Sequence, residues 1–600
     1  MPTTSELIVD RLLEWGIDTY FGLAGDGING FFEALRTRSD RIRFIHVRHE
    51  EEAALAAVGH AKLSGRPAAC VTTSGPGAIH LLNGLYDARI EGAPLIAITG
   101  TTYHDMVGTH FLQDLNQDYV FNDACAFNQR VNGPAHAVNA ADLAVRAALA
   151  HRAASHLAIA IDVQSWELDE GMISDKNVPG HTSVTRDPRV TVPPRAELAR
   201  AAAALRGRTK VAIIAGAGAR GAGEELERVA ERLAAPITKP ALGKDCVPDD
   251  SPYTTGGIAF AGTRPSQEAL ETCDGLLIVG SSSNYYDFWP APGQAVGVQI
   301  DDREERIGLR YPVQVGLVGD ARATLAELFE QLEPNSDRSF LERAQEGMRD
   351  WWALMDRQGT DPSTPMKPQV VTHHLQRLLA DDAIVCGDAG TTTIWQGRMR
   401  LRRGQSFTFS GTNCSMAASI PYAMGAQVAF PDRQVVAFTG DGALSMLMGD
   451  LATLAQHRLP ITVVVINNSS INLILWEQMA FLGNPEFACD LSPVDFAKVA
   501  EGCGLRATRV TDPGDCEAAL RDALAHDGPA LVDCVVDPEE SPLGETLKPA
   551  QAKHLAQALA DGSPGAVPKA RRLLQEERVA VSPGLQAARS ELAQLLQDGE

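Results

Sequence analysis

Two short runs, Gly440-Asp441-Gly442 and Asn467-Asn468, decide how this sequence folds. The first follows the apolar run 434–439, and the second follows the β-branched run 461–466. Residues 443–459 between them have helical periodicity, so the order predicts a strand, a helix and a second strand. A right-handed crossover sets such strands side by side, with their carboxyl ends at the edge where open α/β sheets bind ligands. Asp441 and Asn468, 27 residues apart, can then meet one ion. A carboxylate and an amide carbonyl are hard donors suited to Mg²⁺, which takes about six oxygens and commonly shares them with phosphate. Gly440 and Gly442 allow close backbone approach, and the helix start after them points N–H groups at an anion. Each run alone is an ordinary loop; together, at this spacing, they predict a diphosphate and its cation.

The same alternation extends outward. Residues 42–47 read as a strand, 50–64 as a helix and 68–73 as a strand, followed by a Gly-Pro-Gly turn and another helix. Irregular, proline-bearing segments near 165–194 and 333–368 divide the pattern. The fold class is therefore α/β, with three doubly wound domains on mainly parallel sheets and a C-terminal extension. The expected units are 1–180, 190–335, 365–540 and the extension 541–600.

Composition narrows the function. With 53 basic against 76 acidic residues the net charge is -23, which argues against nucleic acid as a partner. The 10 cysteines include no C-x-x-C pair, so no zinc ribbon or dithiol motif is indicated. No stretch of about 18 apolar residues occurs, and the first ten residues lack a basic-then-apolar leader, so the expected location is cytoplasmic.

The G-D-G…N-N pattern resembles the signature of thiamin diphosphate (ThDP)-dependent enzymes. The resemblance implies that Asp441, Asn468 and the backbone carbonyl of Ser470 hold Mg²⁺ on the ThDP diphosphate. It also implies that Gly390, Thr391 and Thr392 contact that diphosphate. Ser415 and Met416 resemble the segment whose apolar residue supports the bent cofactor, although a core methionine reads the same way. The run Val47-Arg48-His49-Glu50 resembles the family element in which the acid after His is catalytic, which singles out Glu50. An apolar surround would favour its protonated form, able to share a proton with the pyrimidine ring. Glu51 and Glu52 read simply as acids complementing a helix N-terminus. Thr73, Gly75 and Asn83 resemble the next cofactor-approaching segment, and Gln113 the glutamine that faces the thiazolium. In this family the two cofactor domains meet across a subunit boundary, implying a homodimer or homotetramer.

Local matches extend to about residue 555 and resemble the pyruvate oxidases, including the quinone-linked branch. The resemblance implies decarboxylation of a 2-keto acid, pyruvate or a close relative, then oxidation through FAD to quinone or oxygen. The alternative resembles acetolactate synthase, joining the remaining unit to a second carbonyl compound. In the middle unit Gly216, Gly218, Lys244, Gly280, Asp301 and Asp320 resemble FAD contacts of the oxidases, though a structural domain that has lost its flavin remains open. No acid ends the strand near 236–240, so a nicotinamide site is weak. Asn472 and Leu473 stand where oxidases usually carry Gly and Phe, which suggests a wider pocket, while Glu477 retains the family's acidic residue. In the tail Leu585, Ala588, Leu592, Leu595 and Leu596 share a helical face that could make weak peripheral membrane contact. Five basic residues there are balanced by five acidic ones between 569 and 600, which favours packing on the protein itself.

Overall fold

The computed structural model describes residues 1–186, 190–543 and 549–562. They form three six-stranded sheets in which every paired strand is parallel. The first contains β1 (Thr19–Gly22), β2 (Arg43–His46), β3 (Ala68–Thr72), β4 (Leu95–Thr101), β5 (Phe127–Val131) and β6 (Ala154–Ala160), in the order β2-β1-β3-β4-β6-β5. The second contains β7 (Val211–Ala215), β8 (Ile237–Lys239), β9 (Thr254–Gly257), β10 (Gly275–Val279), β11 (Val296–Asp301) and β12 (Val315–Val318), ordered β12-β11-β10-β7-β8-β9. The third contains β13 (Ile384–Gly387), β14 (Ser406–Thr408), β15 (Val435–Gly440), β16 (Ile461–Asn467), β17 (Arg506–Val510) and β18 (Ala530–Val535), ordered β14-β13-β15-β16-β18-β17. β16 is buried at every position, as expected of a β-branched strand covered by helices on both faces.

The first and third sheets are joined by crossing helices. Helix Glu50–Ser64 starts where His49 accepts the Glu51 N–H and stops at Gly65, whose φ of 71° suits glycine. It is buried almost all round because helix Ser419–Ala429 lies against it. A Cβ on Gly59 would come within 2.5 Å of the Tyr422 backbone, and one on Gly425 within 2.1 Å of the Ala56 carbonyl. Nearby, Lys62 donates to Glu91 at 2.8 Å and to the Phe409 carbonyl at 2.7 Å, fixing the same contact.

Two sequence expectations change. The stretch 333–368, read as irregular, contains helix Ser339–Gly359, which buries Phe340, Leu341, Ala344, Met348, Trp351 and Leu354 at helical spacing. The single helix expected over 443–459 is divided into Asp441–Met446 and Asp450–His457. At the break, Gly449 packs beside the Arg48 side chain of the first unit.

Of the extension, helix Pro549–Ala560 is described. Its Ala552, Leu555, Ala556 and Leu559 pack with Leu475, Trp476, Met479 and Ala480 of helix Asn472–Leu482. The apolar face expected from Leu585 to Leu596 lies outside the described residues. Among the described residues no helix is long and apolar enough to cross a membrane.

Candidate active site

β15 and β16 pair in parallel through Gly440 and Ile466, which brings the two decisive loops together. Asp441 Oδ1 accepts the Gly442 N–H at 2.8 Å, and its Oδ2 accepts the Asn468 N–H at 3.1 Å and the Ser469 N–H. Asn468 Oδ1 accepts the Ser470 N–H at 3.2 Å. Burial pushes the Asp441 carboxyl up to about 6, although three backbone N–H groups pull the other way. Ser470 Oγ is buried without a hydrogen-bond partner. A buried carboxylate, an amide oxygen and an orphaned hydroxyl make an oxygen-rich donor set that fits a hard cation. Gly390 adds an open cradle: its φ is +101°, and nothing lies within 4 Å of where a Cβ would stand. Behind it, Asp388 accepts from Thr439 Oγ1 at 2.8 Å and Ser419 Oγ at 3.1 Å, and burial raises its carboxyl to about 6.

These loops open onto a cavity of about 590 Å³. Gly390, Thr391, Thr392 and Met416 line one side, and Gly440, Asp441, Gly442, Asn468 and Ser470 the floor. Ser415 stands behind the wall, where its hydroxyl accepts from Asn83 Nδ2 at 2.7 Å and donates to the Met416 carbonyl at 3.0 Å. Asn472, Leu473 and Glu477 also line the cavity, and the Asn472 amide donates to the Pro538 carbonyl at 2.9 Å. Burial raises the Glu477 carboxyl.

The cavity continues to the second sheet, where Gly216, Gly218 and Gly280 line it. A Cβ on Gly216 would approach the Gly280 carbonyl to 2.4 Å, so these two turns require glycine to nest. Three residues expected beside them are not on the cavity wall. Lys244 is buried, donating to Asp249 at 3.0 Å, the Gly397 carbonyl at 3.0 Å and the Met399 carbonyl at 2.6 Å, so it clamps the second unit to the third. Asp320 caps helix Ala321–Phe329 by accepting the Ala323 N–H at 2.8 Å. Asp301 accepts the Arg303 N–H at 3.0 Å and keeps Oδ2 buried without a partner. The nested glycine turns keep this end of the cavity free of side chains, while the Gly216, Gly218 and Gly280 N–H groups donate to the Val279, Gly280 and Ile300 carbonyls. Phe260, Tyr285 and Arg310 also line this end, and nothing in their spacing marks them in the sequence.

A second group of residues gathers at the edge of the first sheet. Glu50 begins its helix and is 7% exposed; its Oε2 pairs with His80 Nδ1 at 2.8 Å. His80 stacks on His49 with ring centroids 4.5 Å apart. Gln113, at φ 59°, lies over Gly75, where a Cβ would meet its side chain at 2.8 Å, and it accepts a hydrogen bond from Ser74. Thr73 Oγ1 accepts the Gly27 N–H at 3.0 Å. Glu50, Thr73, Gly75 and Gln113 do not line the cavity that holds Asp441 and Asn468. Asn83 links the groups, donating to Glu51 and Ser415 at 2.7 Å each. Sequence reasoning missed His80, because only the packing of the short helix Pro76–His80 against the start of helix Glu50–Ser64 brings it to Glu50.

One chain therefore carries an oxygen-rich donor group beside an open glycine turn on its third sheet and a buried carboxylate on its first, with a glycine-walled cavity reaching from the third sheet to the second. The chain belongs to the thiamine pyrophosphate enzyme family: its N-terminal TPP-binding domain matches residues 2–120, its central domain 198–328 and its C-terminal TPP-binding domain 388–534. Among its relatives, YdaP of Bacillus subtilis (strain 168) is 37% identical over 552 residues, 92% of this chain and 94% of that one. The pyruvate oxidase of Lactiplantibacillus plantarum is 29% identical over 547 residues, covering 90% of each chain. An acetolactate synthase of Mycobacterium bovis is 28% identical over 558 residues, 89% of this chain and 88% of that protein.

Proposed function

We propose that this chain is a ThDP- and Mg²⁺-dependent enzyme that decarboxylates a 2-keto acid, pyruvate or a close relative, and oxidises the remaining unit through FAD, with quinone or oxygen as the final acceptor. One observation carries the reading: a single cavity runs from Asp441 and Asn468 to Gly216, Gly218 and Gly280, which supports a short path between a diphosphate cofactor and a flavin. Asp441, Asn468 and the Ser470 carbonyl would hold the Mg²⁺, and Gly390, Thr391 and Thr392 the diphosphate. ThDP, when bound, supplies the carbon nucleophile and the electron sink that decarboxylation needs. FAD, when bound along the glycine turns, supplies a two-electron acceptor. Met416 would support the cofactor's bend beside Gly442, whose Cβ position lies 3.6 Å from the Met416 Cε. Glu50 would hold the proton at the pyrimidine nitrogen, and Gln113 would face the reacting carbon. Because Glu50 lies off the cavity wall, the reading gives it to a site completed by a second copy of the chain, in a homodimer or homotetramer.

Anaerobic mixing with pyruvate tests the electron route. The purified protein is expected to show a flavin spectrum that bleaches at the rate of turnover. An unbleached flavin, or none, would overturn the oxidase reading. The second reading, carboligation of the acetolactate synthase kind, draws on Leu473, which leaves the wall without the ring expected of oxidases. Formation of acetolactate or another acyloin with the flavin still oxidised would select it.

A further inference from the structure

Both oxygens of the Glu50 carboxyl are met by one turn of one short helix, Pro76–His80. Gly77 and His80, three residues apart, lie on the same face of that turn. His80 Nδ1 sits 2.8 Å from Oε2. Gly77 faces Oε1, and a Cβ there would stand 3.0 Å from it. The His80 ring is held in turn by stacking on His49 at an interplanar angle of 25°, and His49 is fixed by accepting the Glu51 N–H at 3.2 Å. Glu50 is buried, whereas the His80 side chain is 44% exposed, so the imidazole joins a buried acid to the protein surface.

We propose that His80 is the positioning residue for Glu50: it occupies Oε2 as a hydrogen-bond donor and, with Gly77 leaving room, turns Oε1 toward the ring nitrogen of ThDP. The inference rests on the reading of Glu50 as the activating acid. The stack on His49 gives the donor one orientation, and the hydrogen bond gives the carboxyl one rotamer. A carboxyl free to rotate would present Oε1 correctly only part of the time, which lowers the activation rate without weakening cofactor binding.

The test compares His80→Ala, His80→Asn, Glu50→Gln and the Glu50→Gln/His80→Ala double variant in the full-length protein. Two quantities are read: exchange of the thiazolium C2 proton of bound ThDP with deuterated solvent, and the unfolding midpoint of the cofactor-free protein. His80→Ala should slow exchange roughly tenfold while the ThDP Kd changes by less than about twofold, as expected for losing one buried hydrogen bond. His80→Asn, which retains a donor, should recover most of the rate. In the cofactor-free protein the two substitutions should be non-additive in the unfolding midpoint, since the partners touch. Unchanged exchange in His80→Ala, or additive midpoints, would overturn the role of His80. Wild-type exchange in Glu50→Gln would instead overturn the reading of Glu50 itself.

Discussion

Three consecutive glutamates open the helix Glu50–Ser64, and the fold gives each a different task. Glu50 meets His80, Glu51 accepts from Asn83, and Glu52 is fully buried, accepting the Arg48 N–H at 3.0 Å. Burial raises the Glu52 carboxyl, and burial together with the nearby Glu52 charge raises that of Asp450 across the contact between the first and third units. A helix-dipole reading of Glu52 is thus incomplete, because its partner lies about 400 residues away in the chain. His156 shows the opposite titration. It is fully buried between Asn128 Oδ1 at 2.7 Å and Thr99 Oγ1 at 2.8 Å, stacked on Phe121, and burial lowers it from 6.5 to about 3. The folded state refuses a proton that the unfolded chain accepts, so the stability from this group is present above 6.5 and is lost as pH falls from there toward 3. His156→Gln should remove that loss: the gap in unfolding free energy between the parent and the variant should narrow by roughly 1.4 kcal/mol per pH unit below the unfolded value. Denaturant melts at neutral and mildly acidic pH measure it, and a gap independent of pH would refute it.

At the scale of elements, the helix Asn472–Leu482 couples the cavity to the C-terminal extension. One face places Leu473 and Glu477 on the cavity wall, and the other packs Trp476 and Met479 against helix Pro549–Ala560. Leu555, fully buried at the centre of that contact, is the expected weak point. Leu555→Ala should cost about 2–5 kcal/mol and raise the KM for the 2-keto acid as the wall loosens. A KM equal to the parent's would show that the extension does not support the wall. The elements nearest the site were also the most legible in the sequence. Helix Glu50–Ser64 has the expected bounds, because His49 caps it and Gly65 ends it. β15 and β16 follow from β-branched runs that need only neighbouring strands. Helix Ser339–Gly359 was missed because its buried residues are interspersed with charges and its flanks are rich in Pro, Asp and Ser. Lys244, Asp301 and Asp320 stand off the cavity wall for a different reason. Each is a polar residue whose partner is chosen by tertiary packing: Lys244 by Asp249 and carbonyls of the third unit, Asp320 by a helix start, Asp301 by the turn at Arg303.

Across the whole molecule, three parallel sheets hold two unlike half-sites. The cation half is rigid because β15 and β16 are central in their sheet and their tips bond to each other through Asp441 and Asn468. The carboxylate half is anchored by helix Glu50–Ser64, whose far side is fixed by Tyr422 and Gly425 of the third unit. Those packing contacts join Glu50 to the body of its own chain while leaving it off the wall of its own cavity. On the proposed function, a working unit needs two copies, each lending Glu50 to the other's Asp441 and Asn468. Subunit complementation tests that claim most directly. Glu50→Gln and Asp441→Ala chains, each expected to be nearly inactive alone, should regain a substantial fraction of parental turnover when co-assembled, because one kind of mixed site contains both intact residues. Mixed assemblies as inactive as either parent variant would contradict the account.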